Sequence, residues 1–319
     1  GQMEQAEDVT ETLLPAVRMT FRKHRVVLED LLVLKYGDGH REAFLTARTG
    51  NGRCVTVKDA AALFGQAVGS AFVPARNGKT LITRNSSMVR LIEKGSYRLL
   101  IGSAKTPKEG EEISGDNYSF FEMETGNLTA VLSDGMGSGD KACADSTMVV
   151  ELVQRFLEAG FQMEMAIQMI NSTLLSGGEQ SNMSTLDVCS LDLYSGECHF
   201  IKVGSSSSYI KRQHLVDRIS SGNLPLGIFQ KPDVESIGRT LMDGDYIIMI
   251  SDGILDALSQ GIGEDMLSEF IGSLTVENPG EMANTILRYC IQQSRGHIRD
   301  DMTVMVIGIW ERNGDDRAS

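Results

Sequence analysis

Twice in this 319-residue chain an apolar, strand-like run ends in the same tripeptide. Leu128-Thr129-Ala130-Val131-Leu132 runs into Ser133-Asp134-Gly135, and Tyr246-Ile247-Ile248-Met249-Ile250 runs into Ser251-Asp252-Gly253. Each predicted strand delivers one carboxylate, and a glycine then lets the chain turn sharply. Two further candidates adjoin strand-like runs: Asp116 in Ser114-Gly115-Asp116, and Asp300-Asp301 ahead of Met302-Thr303-Val304. A single Asp-Gly after a strand is most often only a turn. The repeat gains meaning only if the four positions meet.

Carboxylates brought to one spot by strand ends repel one another unless cations neutralise them. An all-oxygen set favours hard ions, Mg²⁺ or Mn²⁺, over zinc. Two such ions roughly 3.5–4 Å apart acidify a shared water and clamp a phosphoryl oxygen. Hydrolysis of a phosphate ester is the chemistry such a set predicts.

The rest of the chain divides in two. From Leu13 the residues Leu13, Leu14, Val17, Phe21, Val27, Leu28, Leu31 and Leu32 form an interrupted helical stripe, predicting an amphipathic helix from about Pro15 to Leu32. Short strands near residues 32–36, 41–47, 80–83 and 88–93, with a helix over 58–68, complete a small α+β unit without clustered catalytic residues. After Ser96 the runs 97–102, 118–122 and 128–132 read as strands. Two helices follow, then strands over 186–193, 198–203, 207–211, 239–242 and 246–250, a helix around Met282–Ile291 and a last strand over 303–310. Strand runs with grouped helices predict α+β layers and not a βαβ series. The domain reading is 1–94, 95–312 and a tail over 313–319.

Charge and cysteine usage narrow the partners. Thirty Lys and Arg against 43 Asp and Glu give −13, which excludes a general nucleic-acid binder. Five scattered cysteines without a C-x-x-C pair suit a reducing compartment. No apolar run approaches the roughly 20 residues of a membrane helix, so the chain reads as soluble and cytoplasmic. The opening Gly1-Gln2-Met3 leaves open that it is the cytosolic part of a longer membrane protein.

The segments Ser114-Gly115-Asp116, Ser133-Asp134-Gly135-Met136-Gly137-Ser138-Gly139, Ser251-Asp252-Gly253 and Asp300-Asp301-Met302-Thr303-Val304 resemble, in order, the motifs of the metal-dependent PP2C-type (PPM) serine/threonine phosphatases. Ser184-Thr185-Leu186-Asp187, Gly204-Ser205 and Asn223-Leu224-Pro225-Leu226-Gly227-Ile228 support the likeness, which runs from about Leu99 to Ile309. Before Leu99 it weakens to a likeness to the regulatory region of a sporulation member of the family. The resemblance implies a four-layer α-β-β-α sandwich preceded by the small α+β regulatory unit. It implies two Mn²⁺ or Mg²⁺ ions, with Asp134 bridging both, the Gly135 carbonyl on one, Asp252 and Asp300 on the second, and Asp116 binding directly or through water. Asp301 is the alternative to Asp300. The implied substrate is phosphoserine on a bacterial anti-sigma-factor antagonist, in sporulation-type sigma-factor control.

One departure from the family stands out. No arginine lies between Arg98 and Arg155 to hold the phosphate, so Lys141 and protein–protein contacts would have to contribute. Loops over 176–182 and 259–265 are candidate docking regions, and Lys211 with Arg212 a candidate basic patch. The N-terminal helix is read as an oligomer or switch contact. Met148, Met165, Met169 and Met249 read as core, with the 163–165 end of the second helix free to pack on a regulatory element. Gly135-Met136-Gly137-Ser138-Gly139 superficially matches a dinucleotide loop, but Asp134 at its mouth would repel a pyrophosphate. His297, three residues before Asp300, reads as a solvated loop residue. A non-catalytic scaffold of the same fold and a hydrolase of small phosphate esters remain the alternative readings.

Overall fold

The apolar stripe that begins at Leu13 belongs to two elements. In the computed structural model, which describes residues 6–37, 39–50, 54–75, 78–123, 126–176, 183–204, 207–258 and 263–312, β1 (Glu7–Asp8) leads into α1 (Thr10–Lys23), which ends where Arg25 takes a left-handed φ of 62°. Val27, Leu28, Leu31 and Leu32 then lie on β2 (Val26–Lys35), so the predicted helix to Leu32 is corrected to one ending at Lys23. The β-branched pair Val26-Val27 and antiparallel pairing with β3 (Arg41–Thr49) outweigh helical spacing here. The unit continues with β4 (Val55–Thr56), α2 (Val57–Val68), β5 (Phe72–Pro74), β6 (Leu81–Ile82) and β7 (Ser87–Glu93). Its main sheet has the order β1-β2-β3-β7-β5, while β4 and β6 form a separate ribbon. Val17 and Phe21 of α1 and Ala60, Ala61 and Phe64 of α2 pack with Leu45 and Leu91 of the sheet as one core.

The second part comprises β8 (Tyr97–Thr106), β9 (Asp116–Glu122), β10 (Asn127–Asp134), α3 (Gly139–Glu158), α4 (Met163–Leu175), β11 (Leu186–Asp192), β12 (Glu197–Val203), β13 (Ser207–Arg212), β14 (Leu215–Ser220), β15 (Glu235–Thr240), β16 (Tyr246–Ile250), α5 (Asp252–Asp256), α6 (Gly263–Ser273), α7 (Pro279–Gln293) and β17 (Met302–Glu311). Two antiparallel sheets, β15-β12-β11-β10-β9 and β14-β13-β16-β17-β8, form a sandwich. Strand alternation explains the layers. On β10, Val131 packs under α3 and α4 with Val149, Val153, Ile167 and Ile170, whereas Ala130 and Leu132 meet Ile247, Met249 and Ile307 of the facing sheet. On β16, Ile248 and Ile250 turn outward to Leu267 of α6 and Ile286 of α7. The order is helices, sheet, sheet, helices.

Some expectations change. Met249 is core, but Met165 and Met169 are 50% and 37% exposed because α4 buries Ala166, Ile167, Ile170, Asn171 and Leu174 instead. Met148 is half-buried. Lys211 is buried, its ammonium on the Gln213 and Gly272 carbonyls, and Arg212 pairs with Asp245 at 2.6 Å, so the two form no basic patch. Strand β14 and helices α5 and α6 were not foreseen, and β15 begins four residues before its predicted start at Arg239. Within the sandwich, Lys202 is fully buried, donating to Asp187 Oδ2 at 2.6 Å and to Ser208 Oγ at 2.9 Å. Residues 1–5, 177–182, 205–206, 259–262 and 313–319, which include the opening tripeptide, most of both docking loops, Ser205 and the tail, lie outside the described residues.

The two parts meet at one end of the sandwich. Tyr194, in the turn between β11 and β12, donates its hydroxyl to the Glu93 carbonyl and stacks on His40, which stacks on Tyr36 at 4.3 Å. Arg312 donates to the carbonyls of Gly95 and Tyr97.

Candidate active site

The four predicted carboxylates come from both sheets and gather at the opposite end. Asp134 is the last residue of β10, and Asp116, the first of β9, is its register partner. Asp252 opens α5 directly after β16, and Asp300 and Asp301 precede β17, the neighbour of β16. Asp116 is wholly buried, and neither of its carboxylate oxygens has a protein partner; Asp252 Oδ1 is likewise buried and unpartnered. An ionisable group held this way is costly unless something neutralises it.

The electrostatics express that cost. Burial first, with the charges of Asp252 and Asp301, pushes the Asp116 carboxyl up to about 6. Burial first, then the charges of Asp116, Asp252 and Asp300, push Asp134 up to about 10. Asp300 is raised by burial and by Asp252 and Asp301, although the Asp301 N–H at 2.9 Å works the other way. Among the described residues no three carboxylate, imidazole or thiol groups form a finished ion cage. The acids instead leave buried oxygens unsatisfied, the donor set that hard divalent cations satisfy.

The backbone around these acids is held by a polar lattice. The Asp134 N–H donates to Thr185 Oγ1 at 3.1 Å, and its carbonyl accepts from Ser184 Oγ at 2.7 Å and Thr185 N–H at 2.9 Å. Ser133 Oγ donates to the Thr185 carbonyl at 2.7 Å. Asp301 has its two oxygens occupied by Lys108 N–H at 2.9 Å and Gly115 N–H at 2.7 Å, tying the entry to β9 to the entry to β17. The Lys105 ammonium donates to the Asp116 carbonyl.

Both Ser-Asp-Gly glycines are required for close packing, a different reason from the sharp turn expected. A Cβ on Gly135 would stand 2.1 Å from the Ala142 carbonyl of α3, and one on Gly253 would stand 2.1 Å from the Asp301 carbonyl. Neither residue has a positive φ. Lys141 is exposed in the first turn of α3. His297 is 72% exposed beside Glu109, as expected of a loop residue.

Asn171 escaped the sequence reading. It is buried on α4, accepts from Gly227 N–H at 2.9 Å and donates to the Phe229 carbonyl at 2.8 Å. The adjoining Leu226 exchanges backbone bonds with Ser184, which reaches Asp134. The available signal was one uncharged polar residue on a face otherwise built of Ile167, Ile170 and Leu174.

The layered sandwich, with acids at one end of both sheets, is the fold of PP2C-type phosphatase domains. A solved structure of the PP2C phosphatase domain and a fragment of the regulatory domain of the Bacillus subtilis cell fate determinant SpoIIE superposes with a TM-score of 0.70 and 29% identity, over 95% of this chain and 88% of that one. Residues 124–310 match the family model described as Stage II sporulation protein E (SpoIIE), and the chain belongs to that family. Stage II sporulation protein E of Bacillus subtilis (strain 168) is 38% identical over 215 residues, 67% of this chain and 26% of that protein. Its counterpart from Priestia megaterium is 35% identical over 212 residues, 66% of this chain and 36% of that protein, so the chain spans about a quarter to a third of those relatives. The phosphoserine phosphatase RsbU of Bacillus subtilis (strain 168) is 20% identical over 211 residues, 65% of this chain and 62% of that protein.

Proposed function

We propose that the chain is a Mn²⁺- or Mg²⁺-dependent protein serine phosphatase that removes phosphate from phosphoserine of an anti-sigma-factor antagonist. The observation that carries this reading is Asp116, buried with both oxygens unpartnered opposite Asp134 in a SpoIIE-family fold. Asp134, Asp252, Asp300 and the Gly135 carbonyl would hold two ions, with Asp116 binding directly or through water. Bound there, the ions supply an acidified water and neutralise charge on the phosphoryl oxygens.

The protein's own residues have positioning work. Ser184 and Thr185 fix the Asp134 backbone from both sides, and Asp301 locks the turns that carry Asp116 and Asp300. Asp300 is thereby favoured over Asp301 as a ligand. Water attacks phosphorus as the serine P–O bond breaks, and serine leaves with a proton. Without a gripping arginine between positions 98 and 155, docking of the substrate protein supplies the alignment.

In this reading residues 95–312 form the phosphatase domain and 1–94 a regulatory unit that also serves oligomer contacts. Among the described residues no helix is long and apolar enough to cross a membrane, which suits the cytoplasmic part of a larger protein. Phosphate release from a phosphoserine antagonist protein tests the function. It should require Mn²⁺ or Mg²⁺ and stop with EDTA; undiminished release in EDTA would reject the metal chemistry.

A further inference from the structure

A large cavity lies outside the acidic end. About 830 Å³ in volume, it is enclosed by α2, the edge strand β5 and the β4–β6 ribbon of the N-terminal unit. Its wall is mostly apolar, from Val57, Phe72, Val73 and Pro74, and its volume lies in the range of about 300–1,000 Å³ typical of small-molecule sites.

The charge is what identifies the ligand. Among the described residues, Lys58, Lys79 and Lys94 line the cavity and no carboxylate does, in a chain of net charge −13. The first turn of α2, Val57 and Lys58, also borders it, adding the positive end of a 12-residue helix. Asp59 in that turn is occupied by Thr56, whose hydroxyl donates to it at 2.6 Å. A peptide strand fits less well. β5 has only three residues, and Pro74 lacks the N–H that strand addition needs.

We infer that this cavity is a binding site for a small amphipathic anion, its apolar body against Phe72 and Val73 and its anionic group among Lys58, Lys79 and Lys94. The site is independent of the phosphatase reading. Val73, Pro74 and Lys94 also line a smaller cavity with Met123, Leu193 and Tyr194 of the sandwich, so an occupant touches the wall of the junction.

Calorimetric titration of the full chain with sodium dodecanoate, below its micellar concentration, tests the inference. One dodecanoate should bind per chain, and dodecyltrimethylammonium should bind at least about tenfold more weakly. Ala62→Trp, on an exposed position of the cavity wall, and Lys79→Glu should each weaken dodecanoate by about tenfold or more without changing the melting temperature. No binding, equal binding of the ammonium, or unchanged affinity in folded Lys79→Glu would overturn the site.

Discussion

Asp116 and Asp134 are register partners across the β9–β10 ladder, two carboxylates directly opposite each other at the strand ends. Like charges in that position destabilise a sheet. Here the cost is concentrated in buried groups, and the fold carries it as raised carboxyl pKa values.

That cost predicts a pH signature. Asp116 and Asp134, at about 6 and about 10, hold protons in the fold after the unfolded chain has released them near 3.8. Their contribution is therefore fully present below 3.8 and is lost as pH rises through about 6 towards about 10. In EDTA, the melting temperature should fall across that window, and Asp134→Asn should flatten the fall while removing nearly all metal-dependent turnover. Wild-type turnover by Asp134→Asn at saturating metal would refute its bridging role.

Asp300 and Asp301 should separate by phenotype. Asp300→Asn should remove turnover with little change in melting temperature. Asp301→Asn, which loosens Lys108 and Gly115, should weaken Mn²⁺ affinity by about 10–100-fold and lower the melting temperature. The reverse pattern in Mn²⁺ titrations and thermal melts would make Asp301 the ligand.

The strand-end positions of Asp134 and Asp252 were legible in the apolar runs before them, whereas their reading as site acids rested on the family resemblance. What holds them was less visible. Asp301 and Asn171 act through backbone partners more than 50 residues away, at Lys108, Gly115 and Gly227, which no local pattern encodes. The N-terminal stripe misled because leucines spaced for a helix also serve a strand, and sheet pairing decided between them. Arg212 looked like an exposed cation until Asp245, 33 positions on, supplied its partner.

Lys202 should be a stability determinant. Lys202→Met leaves Asp187 and Ser208 with an uncompensated buried charge, at a cost of about 3–5 kcal/mol. The paired change Lys202→Met/Asp187→Leu should recover much of that loss in urea melts. A double variant as unstable as the sum of the single ones would show that the pair has no interaction of its own.

Tyr194 should couple the two parts. Tyr194→Ala removes the hydroxyl bond to Glu93 and the ring against His40. Mn²⁺ affinity or turnover should shift by a factor of about 5–150. The expected route runs through Met123, which borders the junction cavity and lines a second one with Leu157 and Met163 of the helix pair that begins beside Asp134. Unchanged metal affinity, turnover and oligomeric state would end the coupling idea.

Substrate preference should follow docking. A folded phosphoserine protein should show a much higher kcat/KM than p-nitrophenyl phosphate or a short phosphopeptide of the same site, since an interface of about 1,200–2,000 Å² aligns what the site alone holds weakly. Equal values for protein and peptide would favour the small-ester hydrolase.

The N-terminal unit is fastened beside the β9–β10 and β11–β12 turns, whereas Asp134 lies at the far end of an eight-residue strand, about 24 Å along it. A module tethered at that pole does not cover the acidic face. Under the proposed regulatory role, control from there would act on how well the acids are assembled, not on who can reach them. Under the proposed function an idle enzyme would still capture its substrate, so a signal that assembles the acids would meet substrate already in place and show as a rise in kcat at nearly constant KM.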